Sequence, residues 1–261
     1  MRTNIRSFLL IFIILALQSG FAQSAGDSSI VPLPKEDRQA IENYLGKGVV
    51  GEAIPAPALA DTTRYLNYNA SPRSFRVVSG PNKGKMEHHQ LTKMKQGTEG
   101  TAWRYDTGAR FTFFITAKTN GDYIVTGAVD NEEGVITQYL PGEPLMLQGL
   151  TSGEKRKTTH DMKVYDLSNP DKQTHAGTLD IDYRYVGAYK VTVPAGTFDA
   201  VLIKWTFKGK IGPASLSDTQ YRFFVADVGI VAAIEQMDVS AMLIYNKQRK
   251  VARVLNEKLK S

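Results

Sequence analysis

From about residue 100 onward the chain alternates apolar and polar side chains, the period of two that marks a half-buried strand. Leu179-Asp180-Ile181-Asp182-Tyr183-Arg184-Tyr185 is the clearest case, apolar on one face and charged on the other. Strands are predicted over 110–116, 123–126, 135–140, 201–207 and 221–225, rich in β-branched and aromatic residues, and another opens at Gly229. Asn120-Gly121 reads as a two-residue hairpin turn and 130–134 as the next turn. Turn signals recur without helix-length periodic segments between them, which favours an antiparallel sheet over an α/β fold. The exception is 35–45, where Ile41, Tyr44 and Leu45 share one face of a short helix that Gly46 ends. Residues 51–59 carry Pro55 and Pro57, which deny regular structure and suggest an extended segment across the main body. Residues 242–259 fit both a hairpin around Asn246-Lys247-Gln248 and a closing helix using Val251, Leu255 and Leu259. The fold class is therefore mostly β: a curved antiparallel sheet, half-barrel or sandwich, with a short N-terminal helix.

The N-terminus changes the picture. Arg2 and Arg6 precede an unbroken apolar run over 8–17, and Gly20-Phe21-Ala22 places small residues at the −3 and −1 positions of a peptidase site. This is the three-part pattern of a secretory signal peptide. An apolar run of ten residues spans only ~15 Å of helix against a ~30 Å hydrocarbon core, so a membrane anchor is the weaker reading. The organisation expected is a signal peptide at 1–22, a leader, helix and Pro-rich segment at 23–70, and a β domain at 71–261. Later stretches never approach 18 apolar residues, so the mature chain is read as periplasmic and not membrane-spanning.

Composition excludes several chemistries. Without Cys there is no thiol nucleophile, disulfide framework, iron–sulfur cluster or lipid-anchor cysteine. Losing the leader removes Arg2 and Arg6 and no acids, which lowers the net charge from +6 to +4 and gives no case for nucleic acid. The basic residues bunch at Lys83/Lys85, Lys93/Lys95, 155–157 and Lys247/Arg249/Lys250/Arg253, read as solvated turns between strands.

One motif rises above composition. Val191-Thr192-Val193-Pro194-Ala195-Gly196-Thr197-Phe198-Asp199-Ala200 reads as strand, tight corner, strand. Pro194 fixes φ at the corner, Gly196 supplies φ > 0, and Phe198 folds back under the turn. Some thirty residues later, Gly229-Ile230-Val231 supplies a second glycine corner entering a buried strand. The pair resembles a largely uncharacterised exported bacterial family recognised by V-x-V-P-A-G-x-F-x-A and a later G-[IVL]-V. The resemblance covers about residues 140–235, including the run from Pro144-Leu145 to Val164-Tyr165-Asp166. It implies a periplasmic curved β-sheet in the style of lipoprotein carriers and says little about activity. Where an acidic residue is expected ahead of the V-x-V-P strand, this chain has Ala188-Tyr189. The motif residues read as architecture.

The chemistry search is mostly negative. The chain has no G-x-S-x-G elbow, H-E-x-x-H, phosphate loop or dinucleotide fingerprint. His88 and His89 are adjacent, so in a strand they point to opposite faces and suit one metal poorly; neither a metal nor a cofactor is assigned. His160 and His175 read as solvated. Asp180 and Asp182 share a face roughly 7 Å apart along a strand, a spacing that acid/base glycoside cleavage can use. Arg184 and Lys190 beside them suggest an ordinary charged outer face instead. Aromatic residues exceed what a small core needs. Trp103, Phe113, Tyr183, Tyr185, Trp205 and Phe223 either line an apolar groove or fill a packed core.

Two function classes stay open. One is an exported, non-catalytic binding protein that holds a lipid or other hydrophobic small molecule, or an envelope protein partner, on its curved sheet. The other is an envelope hydrolase using Asp180 and Asp182. A packed core would weaken the first; two buried carboxylates converging in a cleft would favour the second.

Overall fold

The structure is a computed structural model that describes residues 29–66, 72–241 and 245–257. The leader at 1–22 lies outside the described residues.

Helix α1 (Lys35–Leu45) follows Pro34, carries Glu36 and Asp37 in its first turn and buries Ile41 and Leu45. Acidic residues there suit the positive end of the helix dipole. Gly46 ends it at φ +98°, its N–H donating to the Glu42 carbonyl at 3.0 Å. The strands that follow are β1 (Val50–Ile54), β2 (Arg73–Ser79), β3 (Met86–Gln96), β4 (Gly100–Thr107), β5 (Phe111–Lys118), β6 (Tyr123–Asp130) and β7 (Val135–Met146). They continue with β8 (Lys155–Asp166), β9 (Asn169–Val193), β10 (Gly196–Ile211), β11 (Ala214–Val225), β12 (Gly229–Ala241) and β13 (Tyr245–Leu255).

Strands β2 to β13 form a meander in which each pairs antiparallel with the next, and β13 returns to β2 through Ala252↔Ser79 and Leu255↔Phe75. The sheet is thus a closed antiparallel barrel of twelve strands. This corrects the expected half-barrel or sandwich. Closure removes the free edges that an open sheet would leave. It rests on one pairing between strands some 170 residues apart, which local alternation cannot announce. Strand β1 lies outside the ring, beside the end of β9 beyond its pairing with β8 (Val50↔Val191). Residues 245–255 are strand, so Val251 and Leu255 belong to no closing helix, and Asn246, Lys247 and Gln248 pair with β12 inside β13 rather than forming a turn. The β5–β6 connection is four residues long rather than two, with Gly121 at φ +90° and Asp122 N–H bonded to the Asn120 side chain.

On β8 to β10 alternate residues divide between the two faces. Lys155, Lys157, Asp180, Asp182, Lys208 and Lys210 stand on the outer face, whereas Ile115, Met162, Leu179, Trp205 and Phe207 turn inward. Membrane barrels have the reverse polarity, an apolar band outside and a polar lumen, and charges on a lipid face are costly. Water, rather than hydrocarbon, suits this outer wall.

The two ends differ. At the lower end, residues 55–66 cross the barrel: the Leu59 N–H donates to the Leu150 carbonyl at 2.9 Å, and the Gly149 N–H returns a bond to Leu59 at 2.8 Å. The Tyr185 hydroxyl reaches the Pro57 carbonyl at 2.8 Å, and Leu59, Tyr65 and Leu66 are buried. Hairpin turns at 108–110, 131–134, 167–168 and 212–213 mark the upper end.

Candidate functional site

Between these ends the lumen is not filled. Phe111, Phe113 and Ile115 on β5, Trp205, Phe207 and Ile211 on β10, and Met237 and Val239 on β12 help enclose a cavity of about 650 Å³. Protein interiors pack to crystal density with few voids larger than a water molecule, so this volume is an architectural feature. Val125, Leu145, Met162, Val164 and Leu179 complete a mainly aliphatic wall.

Charged residues are set into the inner face of the barrel in and around that wall, and most are paired. Near the upper end, Arg110 meets Asp130 at 2.7 Å and bonds Glu132, while Lys247 bonds Glu133. Deeper, Arg253 bonds Glu87, and Glu235 lies 3.7 Å from both Arg249 and Arg253. Burial pushes the Glu87 carboxyl up, but hydrogen bonds from His89 and Arg253 and the Arg253 charge outweigh it, holding the group at about 2. Burial pushes His89 down; its Nδ1 lies 2.9 Å from the Tyr105 hydroxyl.

Two carboxyls are not matched in this way. Asp218 on β11 is 8% exposed; its Oδ2 accepts from the Gln220 amide at 2.5 Å, and the backbone N–H of Gln236 also bonds the carboxyl. Glu143 on β7 faces the same cavity and bonds the Tyr139 hydroxyl. Burial and the charge of Asp218 raise Glu143 to about 8 against the pull of Arg222. Asp218 is raised as well, by burial and then by the charge of Glu235. The nearest positive group is Arg222, already bonded to Gln220 Oε1 at 2.7 Å and stacked 5.1 Å above the Trp205 ring. In register, Asp218 sits opposite Phe207, and Gln220 opposite Trp205.

The residues singled out from sequence scatter. Phe113 and Trp205 line the cavity. Trp103 borders a separate void of about 10 Å³ with Leu66 and Ile115. Tyr183, Tyr185 and Phe223 are fully buried off the cavity wall; Tyr183 packs edge-on against Trp205 at 5.4 Å. The corner residues Pro194, Gly196 and Phe198 lie in the β9–β10 hairpin and Gly229 opens β12, all at the lower end. Asp180 and Asp182 project outward, Asp180 bonded to Thr159 at 2.6 Å and Asp182 3.7 Å from Lys157, so they form no cleft.

Two readings are corrected. Lys247, Arg249 and Arg253 are strand residues paired with inner-face acids, not solvated turns, because inward residues recur at every second position of β13. His160 is 2% exposed, bonded to the Pro141 carbonyl and to Thr158 Oγ1 at 2.7 Å, rather than solvated. Sequence reasoning also passed over Glu143, Asp218 and Arg222. The available signal was the alternation Leu216, Asp218, Gln220, Arg222, which puts all four on one face of β11.

No family model matches the chain, and no curated protein matches it. Solved structures with some likeness include a candidate exported protein with a YmcC-like fold from Bacteroides fragilis (TM-score 0.45, 12% identity, 74% of this chain and 97% of that one). A candidate lipoprotein from Parabacteroides distasonis gives TM-score 0.34 and 14% identity over 71% of this chain and 92% of that one. The hypothetical lipoprotein YmcC from Escherichia coli gives 0.36 and 9% over 78% and 98%. At these scores and identities none of the three fixes a ligand or an activity for this chain.

Proposed function

We propose that this chain is an exported, non-catalytic binding protein that carries a hydrophobic small molecule, such as a lipid or acyl chain, inside its barrel. The observation that carries the reading is the cavity of about 650 Å³ with its aromatic and aliphatic wall, a volume within the ~300–1,000 Å³ range of small-molecule sites. The polar outer wall and the signal-peptide pattern agree with a periplasmic carrier. An empty apolar volume loses dispersion contacts on every wall, and a bound chain restores them.

A second reading, a hydrolase, draws on one observation: half-buried Glu143 and buried Asp218 place two carboxyls in one cavity. Asp180 and Asp182 give it no help from the outer face. The test is saturable, micromolar binding of the neutral fluorophore N-phenyl-1-naphthylamine by the mature protein, with displacement by an unlabelled lipid recovered intact. Ala128→Phe, which fills the wall opposite Thr137, should weaken binding about tenfold or more while the protein stays folded. Equal binding by the filled variant overturns the carrier reading; recovery of the lipid cleaved would favour the hydrolase.

A further inference from the structure

We infer that the carried molecule ends in a carboxylate, held by Arg222 at the edge of a polar side chamber while its chain occupies the apolar part of the lumen. The inference rests on the carrier reading and adds the head-group chemistry to it. Its first basis is a cation without a matching anion. Arg110, Lys247, Arg249 and Arg253, on the inner face, each have a carboxylate within 4 Å. Arg222 has none among the described residues; its hydrogen bond goes to the neutral Gln220 amide and its face covers Trp205. A charge taken out of water is costly unless it is paired. Arg222 is only half-buried and lines the cavity, so it presents accessible surface there. Gln220 uses one of its N–H groups, and the planar fork that remains matches a carboxylate at two points.

The second basis is the shape of the space beside it. A chamber of about 70 Å³ adjoins the large cavity, and Tyr105, Phe111, Phe113, Gln220, Arg222 and Glu235 line both. Its further wall adds His89, Thr107 and Arg253, so the apolar lumen leads into a small hydrogen-bonding pocket with Arg222 at the boundary. A long chain with one compact polar end divides in the same way. An ammonium head would meet the charges of Arg222 and Arg253, and an alcohol would leave Arg222 uncompensated. Glu143 and Asp218 both feel the Arg222 charge, yet burial raises Glu143 to about 8 and raises Asp218 as well. At pH 6 they hold their protons and leave the guanidinium to an incoming anion. As pH rises through 8 they ionise, compete for Arg222 and repel the head, so carboxylate affinity should fall. The other ionisable groups facing the pair are Tyr139 from β7 and Glu235 from β12, and His175 on β9 lines the same cavity. His89 from β3 and Arg253 from β13 line the side chamber.

The experiment displaces N-phenyl-1-naphthylamine from the mature protein with dodecanoate, dodecanol and dodecylamine, three heads on one chain length. Dodecanoate should bind about tenfold tighter than dodecanol at pH 6, and its advantage should shrink by pH 9. Dodecanoate itself stays ionised throughout, as a glutamate would, with a pKa near ~4.3. In Arg222→Gln the preference should fall to parity or below while dodecanol binds as before, which also shows that the variant is folded. Arg222→Lys keeps the charge and should keep part of the preference. Asp218→Asn and Glu143→Gln cannot ionise, so each should flatten the pH series, whereas His175→Gln should keep its slope. Equal binding of dodecanoate and dodecanol by the parent, preference for dodecylamine, or a carboxylate preference that survives in Arg222→Gln overturns this inference and leaves the carrier reading standing. Failure of all three to displace the reporter, or of the reporter to bind, overturns both.

Discussion

At the scale of the residue, the carboxyls of this protein occupy three different electrostatic settings. Asp37, fully buried, joins α1 to the barrel through Lys204 and a 2.9 Å hydrogen bond from the Tyr221 hydroxyl. Glu87 lies between His89 and Arg253 and is held at about 2. Glu143 is raised by burial to about 8. The last two act on stability with opposite signs. Glu87 is more acidic folded than unfolded, so its contribution is present above the ordinary Glu range and lost as pH falls toward 2. Glu143 holds its proton more tightly folded than unfolded, so stability drains away as pH rises from about 4.5 to about 8. Each unit of such a shift corresponds to ~1.4 kcal/mol, so the loss is on the order of a few kcal/mol. Glu143→Gln removes this drain, and urea unfolding at pH 5 and pH 8 reads it directly. The variant should gain on the parent between the two pH values, and parallel behaviour would mean that Glu143 is solvated and ionised in the folded protein.

At the scale of the element, local pattern and distant pairing make separate contributions. The strict alternation at 179–185 specified both faces of that part of β9, and Ile41, Leu45 and Gly46 marked the helix. The corner at Pro194 to Gly196 joins β9 to β10 by the register Val193↔Gly196. Closure was not legible, because the Ala252↔Ser79 pairing depends on the sheet coming round through eleven hairpins. The inward charges were hidden for a related reason: Glu235 and Arg249 neutralise each other only once β12 and β13 lie side by side, and each alone resembles a surface residue. The corner itself is testable. Gly196 has φ +144°, and a Cβ there would lie 3.6 Å from the Phe198 ring, so the difficulty is backbone strain more than space. Gly196→Val should cost roughly 1–3 kcal/mol. Phe198 is half-buried against the core, so Phe198→Ala should cost less than the ~3–5 kcal/mol of a fully enclosed ring. Both variants should melt earlier than the parent and still bind N-phenyl-1-naphthylamine. A variant that melts like the parent but no longer binds would make the corner part of the site.

At the scale of the whole molecule, closure and vacancy are linked. Twelve strands make a ring wider than the eight-stranded barrels whose side chains fill the interior, so a lumen built mainly of single inward side chains leaves space at its centre. The chain closes the lower end with its own residues 55–66, and Arg64 and Asp227 fasten that segment to the β11–β12 turn through paired hydrogen bonds. What remains is a container whose stability should depend on its contents. A ligand that binds only the folded barrel adds RT ln(1 + [L]/Kd), about 2.7 kcal/mol at a hundredfold excess over Kd. For domains of 150–250 residues each kcal/mol moves the melting temperature by roughly 2–4 °C, so filling the lumen should raise it by about 5–10 °C. The prediction concerns protein purified from its native compartment, unfolded in guanidinium, extracted with solvent and refolded. The stripped form should melt several degrees below the untreated one, and adding back the extracted material should restore the difference. Ala128→Phe should show a much smaller gap between stripped and untreated forms, because the volume that the ligand would fill is already occupied. If stripped and untreated parent melt together, and nothing added to the refolded protein raises the transition, the lumen is empty in service and the carrier reading fails.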